Sequence, residues 1–173
     1  EIDGELFYAN SSAVRLGNIF SNQYLYVNRG VNGIEGTLST AVGYALARQD
    51  EEDVYCVIGD LSFFYDQNAL WNEQLPPNLS ILLLNNGGGG IFRQLPGLER
   101  SPYRDSAIAA GHTASAEGIC QAYGLVYLSA RNGQELSRAL DSFFHAEEGP
   151  VLLEVFTRPE DDARVLKDYY QSF

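Results

Sequence analysis

Short apolar runs of strand length recur along this chain, at 6–9, 24–27, 54–58, 79–84, 125–128 and 151–156, and stretches with helical spacing separate them. The helical stretches fall at about 12–20, 37–49, 66–75, 114–123 and 134–147, with a terminal one at 161–171. Strands that alternate with helices predict parallel βαβ units. The expected fold class is therefore α/β, a doubly wound, mainly parallel sheet of about six strands with helices on both faces. The runs 81–84 and 151–153 are almost continuously apolar, which central strands buried on both faces require.

A chain of 173 residues with 45% hydrophobic content builds one buried core, so residues 1–173 are expected to form a single domain. It begins at Glu1 and contains no Met, and the expectation is a fragment, a segment of a longer protein or an incompletely represented one. Lys and Arg total 11 against 23 Asp and Glu, and the net charge of -12 would repel nucleic acid and an anionic membrane surface. No apolar run approaches the ~20 residues of a membrane helix. Cys56 and Cys120 form neither a metal-ligand spacing nor a disulfide framework, and are read as buried free thiols of a reducing, cytoplasmic setting.

The chemistry concentrates at two strand ends. Gly59-Asp60-Leu61-Ser62 follows one apolar run and Asn85-Asn86 follows the next. In open α/β sheets ligands bind beyond the carboxyl ends of strands, so a carboxylate and a carboxamide oxygen would meet at one point. Hard oxygen ligands suit Mg2+, which shares its shell with phosphates. Asp60 alone reads equally well as a helix cap; the Asn85-Asn86 pair at a second strand end shifts that balance. Backbone N–H groups of Leu61 and Ser62 would open a helix and favour a diphosphate oxygen. The connection 87–111 breaks both periodicities with Gly87-Gly88-Gly89-Gly90 and Pro96-Gly97. Loops of that length in compact domains are often functional.

The Gly-Asp and Asn-Asn pairs at this interval resemble the motif of thiamine-diphosphate enzymes. Asn10-Ser11-Ser12-Ala13-Val14-Arg15, Asn28-Arg29-Gly30-Val31-Asn32-Gly33-Ile34-Glu35-Gly36 and Gly89-Gly90-Ile91-Phe92 narrow the resemblance to the diphosphate-binding domain of the MenD-type synthases of menaquinone biosynthesis. It covers nearly the whole chain from Leu6 onward, most clearly through Phe92. It implies thiamine diphosphate as cofactor and Mg2+, with Mn2+ as an alternative, held by Asp60, Asn86 and the Gly88 carbonyl. Gly59, Leu61 and Ser62 would complete the cofactor cradle. Ile34 would wedge the cofactor into a bent shape, while the Gly33 carbonyl accepts a hydrogen bond from its aminopyrimidine. Glu35 stands where the family often has Asp. The catalytic Glu is expected outside this chain, in an N-terminal domain of a partner subunit.

The implied reaction is decarboxylation of 2-oxoglutarate and addition of the resulting succinyl-semialdehyde anion to isochorismate, by a homo-oligomer, dimer or tetramer. Asn10 and Ser11 read on their own as a helix N-cap. Arg15 falls one helical turn after Ser11 with its side chain directed toward the helix start, and Arg29 follows the second strand. The resemblance implies that these four hold substrate carboxylates, a task that suits the forked guanidinium, and that Ile91 and Phe92 line the apolar side of the substrate site. An acetolactate synthase or benzoylformate-type decarboxylase would share Asp60 and Asn86, and a non-catalytic phosphate-binding module would share the fold. His112 and His145 lack a partner at ligand or triad spacing and are read as surface or supporting residues. Tyr65, Trp71 and Tyr103 are read as packing, and the acidic run 50–53 as a solvated loop.

Overall fold

The computed structural model describes residues 2–30, 33–48, 52–93, 95–146 and 149–172. Val31 and Asn32 of the glycine-rich segment, Asp50 and Glu51 of the acidic run, and the expected helix ends Gln49 and Glu147 lie outside them. Strands β1 (Glu5–Tyr8), β2 (Leu25–Tyr26), β3 (Val54–Gly59), β4 (Leu79–Asn85), β5 (Val126–Ala130) and β6 (Val151–Phe156) form one sheet in the order β2-β1-β3-β4-β6-β5. Every pairing is parallel, as the alternation predicts. The helices are α1 (Ser12–Phe20), α2 (Thr37–Ala47), α3 (Asp60–Asp66), α4 (Glu117–Tyr123), α5 (Gly133–Phe144) and α6 (Pro159–Gln171).

Side chains alternate across each strand and so build a core on each face. Phe7, Cys56 and Leu152 join one cluster with Leu38 and Ala41 of α2 and Cys120 of α4. Their neighbours Leu6, Tyr55, Val151 and Leu153 join the other, closed by Phe143 of α5. Cys56 and Cys120 are both free and fully buried. After β1 the chain turns to β2 on one side, then crosses back to β3 on the other. The turns after β1 and β3 therefore diverge, and the crevice between them is the switch point where such sheets bind ligands.

Several boundaries differ from the sequence expectation. The helix expected at 66–75 begins at Asp60 instead, and after Asp66 continues only as a tighter turn, Gln67–Leu70. Gly59 is extended, with φ −80° and ψ 161°, and delivers Asp60 directly into the helix, while the Asn72 Nδ2 bond to the Ala69 carbonyl closes its far end. The helix expected from 114 starts at Glu117, with Ala116 as its N-cap, whose N–H, without an intrahelical partner, is taken up by Glu154. The connection 87–111 is not structureless: it holds short helical turns at Gly90–Arg93, Leu98–Arg100 and Arg104–Ile108. Tyr65, Trp71 and Tyr103, expected in packing, are exposed, because no described element of the chain covers those faces.

Candidate functional site

Asp60 sits at the carboxyl end of β3, only 3% exposed, as the first residue of α3. Its Oδ1 accepts the Leu61 N–H at 2.7 Å, and its Oδ2 accepts the N–H groups of Gly87 and Gly88 at 2.8 and 3.0 Å. Burial pushes its pKa up, against the opposing pull of the Leu61 N–H, of His112 and of the two glycine donors. A carboxylate left short of compensation although it accepts three N–H groups is a place for a cation. Among the described residues no group of three or more His, Cys, Asp and Glu side chains forms a metal site. A cation at Asp60 would therefore complete its shell with neutral oxygens and ligand oxygens, the shell Mg2+ prefers.

Neutral oxygens come from the end of β4, where the adjacent asparagines take different tasks. Asn85 is buried and structural: its Nδ2 donates to Glu154 Oε1 at 2.7 Å and to the Ala114 carbonyl at 2.9 Å, while its Oδ1 accepts the Gly87 N–H. Asn86 turns the other way, its Nδ2 donating to Asp162 Oδ2 at 3.0 Å. Next, Gly87 at φ 78° and Gly88 at φ 155° adopt conformations that a side chain resists. A Cβ on Gly88 would lie 2.8 Å from the Ala109 carbonyl. The returning end of the long connection packs that closely because Gly89 N–H donates to Ala109 and His112 N–H donates to Gly87.

That return delivers a residue the sequence reading left outside the site. His112 Nε2 lies 3.3 Å from Asp60 Oδ2, close enough for charge interaction but off the line of a hydrogen bond. Its Nδ1 accepts the Ala114 N–H at 3.1 Å, which in the neutral ring places the proton on Nε2, the nitrogen 3.3 Å from Asp60. The ring stands edge-on to Phe64, with centroids 5.4 Å apart. No spacing in the sequence links positions 60 and 112. His145, by contrast, is exposed at the end of α5, its Nδ1 2.8 Å from the Asp141 carbonyl of that helix.

The turn after β1 forms the other wall. Ser11 occupies the N-cap position of α1 but makes no side-chain cap, and its φ of 71° with ψ −126° is a conformation that costs a non-glycine residue. The bland capping reading therefore does not describe it. Asn10 Nδ2 donates to the carbonyls of Asn28 and Gly33, and its Oδ1 accepts from Arg29 Nη1 at 3.2 Å. The Gly33 carbonyl is thus engaged by Asn10 in this structure. Ile34 follows it, with its own N–H donating to Glu35 Oε2.

These walls enclose a cavity of about 990 Å3. Asn10, Ser11, Gly59, Asp60, Leu61 and Ser62 line it from the ends of β1 and β3, Ile34 from the segment between β2 and α2, and Asn86, Gly88, Ile91 and Phe92 from the end of β4. A Cβ added to Gly59 would meet nothing within 4 Å, so the backbone there borders open space of the kind a ligand fills. Leu61 N–H is taken by Asp60, so it is not a spare donor here. Arg15 and Arg29 are exposed and outside the lining, although Arg29 reaches it through Asn10. The far side is closed by Arg131 in the turn before α5, by Leu136 of α5 and by Asp162 and Tyr169 of α6, none of which was singled out from sequence.

The family profile "thiamine pyrophosphate enzyme, C-terminal TPP binding domain" matches residues 10–155. The 2-succinyl-5-enolpyruvyl-6-hydroxy-3-cyclohexene-1-carboxylate synthase of Bacteroides thetaiotaomicron is 51% identical over 170 residues, covering 95% of this chain and 30% of that protein. Synthases of the same name from Christiangramia forsetii and Flavobacterium johnsoniae are 40% identical over 168 residues and 38% over 172. They are matched over 95% and 98% of this chain and 29% and 31% of their own lengths. The chain spans about 30% of the length of the curated relatives it matches.

Proposed function

Because the chain belongs to the thiamine pyrophosphate enzyme family, as its C-terminal TPP-binding domain, we propose that it supplies the diphosphate and metal half of the active site of a 2-succinyl-5-enolpyruvyl-6-hydroxy-3-cyclohexene-1-carboxylate synthase. The name its relatives carry supports that choice within the family. The observation that carries the cofactor assignment is that Asp60, which accepts the Gly87 and Gly88 N–H groups, lines one cavity together with Asn86 and Gly88.

In this reading Asp60, the Asn86 carboxamide oxygen and the Gly88 carbonyl hold Mg2+, or Mn2+ in its place, and the open space beside Gly59 takes the diphosphate. When bound, thiamine diphosphate supplies the electron sink for decarboxylating a 2-oxo acid. The chain's own residues bind, orient and exclude water. Ile34, in the segment between β2 and α2, would press on the cofactor, and Ile91 and Phe92 would make the apolar wall against the substrate. Asn10, Ser11, Arg15 and Arg29 serve the carboxylates of 2-oxoglutarate and isochorismate, with Arg29 and Asn10 acting as a hydrogen-bonded unit. The glutamate that engages the cofactor ring comes from another domain, in a homo-oligomer that we place in the cytoplasm. Among the described residues no helix is long and apolar enough to cross a membrane.

Calorimetric titration of the complete enzyme with thiamine diphosphate and with ATP, each with Mg2+, tests the cofactor. Product formation from 2-oxoglutarate and isochorismate tests the reaction. Preference for ATP would turn the reading to a phosphate-binding module. Cofactor binding with turnover of another 2-oxo acid alone would turn it to a different carboligase.

A further inference from the structure

A carboxamide is an ambivalent metal ligand, because its two ends have nearly the same shape and only the oxygen binds a hard cation. Something must decide which end of Asn86 is offered to a cation at Asp60. In this structure Asn86 Nδ2 donates to Asp162 Oδ2 at 3.0 Å, and the same carboxylate oxygen accepts the Thr157 hydroxyl at 2.8 Å. An ionised carboxylate only accepts hydrogen bonds, so it can hold the nitrogen end of the amide and never the oxygen end. Thr157 is fixed in turn by its N–H bond to the Asn85 carbonyl at 3.0 Å, which ties the start of α6 to the end of β4.

We propose that Asp162, on α6, is a positioning residue of the metal site: by accepting the Asn86 Nδ2–H it turns the carboxamide oxygen toward the cation that Asp60 holds. The inference rests on the cofactor reading above and deepens it. Partners behind metal ligands of this kind orient them and typically change metal affinity about 10- to 100-fold when removed. α6 has a second attachment that does not involve Asn86, the ion pair of Glu160 Oε1 with Arg93 Nη2 at 2.9 Å. Orientation of the amide can therefore be separated from docking of the helix.

The test is Mn2+ binding to the complete enzyme with thiamine diphosphate, read by the paramagnetic resonance of free Mn2+, with thermal melts of the cofactor-free proteins as a folding control. Asp162→Ala should weaken Mn2+ binding about 10- to 100-fold. Asp162→Asn should stay within about 3-fold of the parent, because its side-chain oxygen, held by the Thr157 hydroxyl, still accepts from Asn86. Glu160→Gln should bind Mn2+ as the parent does. Should Asp162→Ala not fold, Asp162→Ser, too short to reach Asn86 Nδ2, gives the same comparison. Parent-like affinity in the Ala or Ser variant overturns the proposal. Equal losses in the Ala and Asn variants overturn it in favour of the Asp162 charge, and an equal loss in Glu160→Gln overturns it in favour of helix docking. A parent enzyme that binds no Mn2+ with the cofactor overturns the functional reading itself, and the inference with it.

Discussion

Asn85, at the end of β4, donates its Nδ2–H to Glu154 of the neighbouring strand β6 at 2.7 Å, and this bond anchors the floor on which Asn86 stands. Glu154 is fully buried and also accepts the Ser115 and Tyr127 hydroxyls, each at 2.7 Å, and the Ala116 N–H. One carboxylate thus gathers β4, β5, β6 and the segment that brings His112 to Asp60.

Glu154→Ala should destabilise the fold by roughly 3 kcal/mol or more, since it strands several buried donors at once. Glu154→Gln should cost less, about 1–3 kcal/mol, because a single oxygen becomes a mismatched donor. Urea unfolding measures both. A loss below ~1 kcal/mol for the Ala variant would mean that water replaces the carboxylate.

Asp60→Asn should abolish the stabilisation that Mg2+ and thiamine diphosphate give, and without ligand it should be less stable than the parent by about 1–3 kcal/mol, because its amide NH2 then faces backbone N–H donors that the carboxylate accepts. Burial raises the folded pKa of Asp60 above its ordinary 3.8, so its contribution to stability is full below that value and is lost as pH rises through the raised folded value. The Asn variant carries no such charge. In the parent, the shift in melting temperature given by Mg2+ and cofactor should shrink as pH falls into the carboxylate range. A shift that persists in Asp60→Asn would remove Asp60 from the metal site.

Arg29→Ala should lower kcat/KM for one carboxylate substrate about 10-fold or more while thiamine diphosphate affinity holds, and Arg29→Lys should rescue poorly because a point charge cannot reproduce the fork that reaches Asn10 Oδ1. Arg15→Ala is expected to act on turnover in the same way. Steady-state kinetics with each substrate varied decides which carboxylate each arginine serves. Unchanged kcat/KM for both substrates would take that arginine out of the site.

Alkali should unfold the protein in a defined window. Burial, with the Glu154 hydrogen bond second, raises the Tyr127 phenol from 10.0 to about 12. Its stabilising contribution is full below pH 10.0 and is lost as pH climbs toward about 12. Tyr127→Phe should flatten that part of the stability profile.

The thiols report on the core independently. Burial pushes Cys56 and Cys120 up to about 12, so neither should react with iodoacetamide at mildly alkaline pH until the chain unfolds. Mass spectrometry of the native protein would expose the core assignment as wrong if either thiol were labelled within minutes.

The amino-acid order alone determines the alternation of six strands with helices and the parallel sheet. It also puts Asp60 at the end of β3 and Asn86 just past β4, because periodicity, β-branched runs and glycine punctuation act over a few residues. The tertiary structure alone decides which ends become neighbours. The sheet order β2-β1-β3-β4-β6-β5 opens the crevice between β1 and β3, draws His112 back to Asp60, and lays α6 across the cavity so that Asp162 meets Asn86. It also sets the helix starts at Asp60 and Glu117, after an extended Gly59 and beside a Glu154 that takes up the Ala116 N–H. Contacts between residues so far apart in sequence depend on how loops close over a finished sheet, and no local pattern records that.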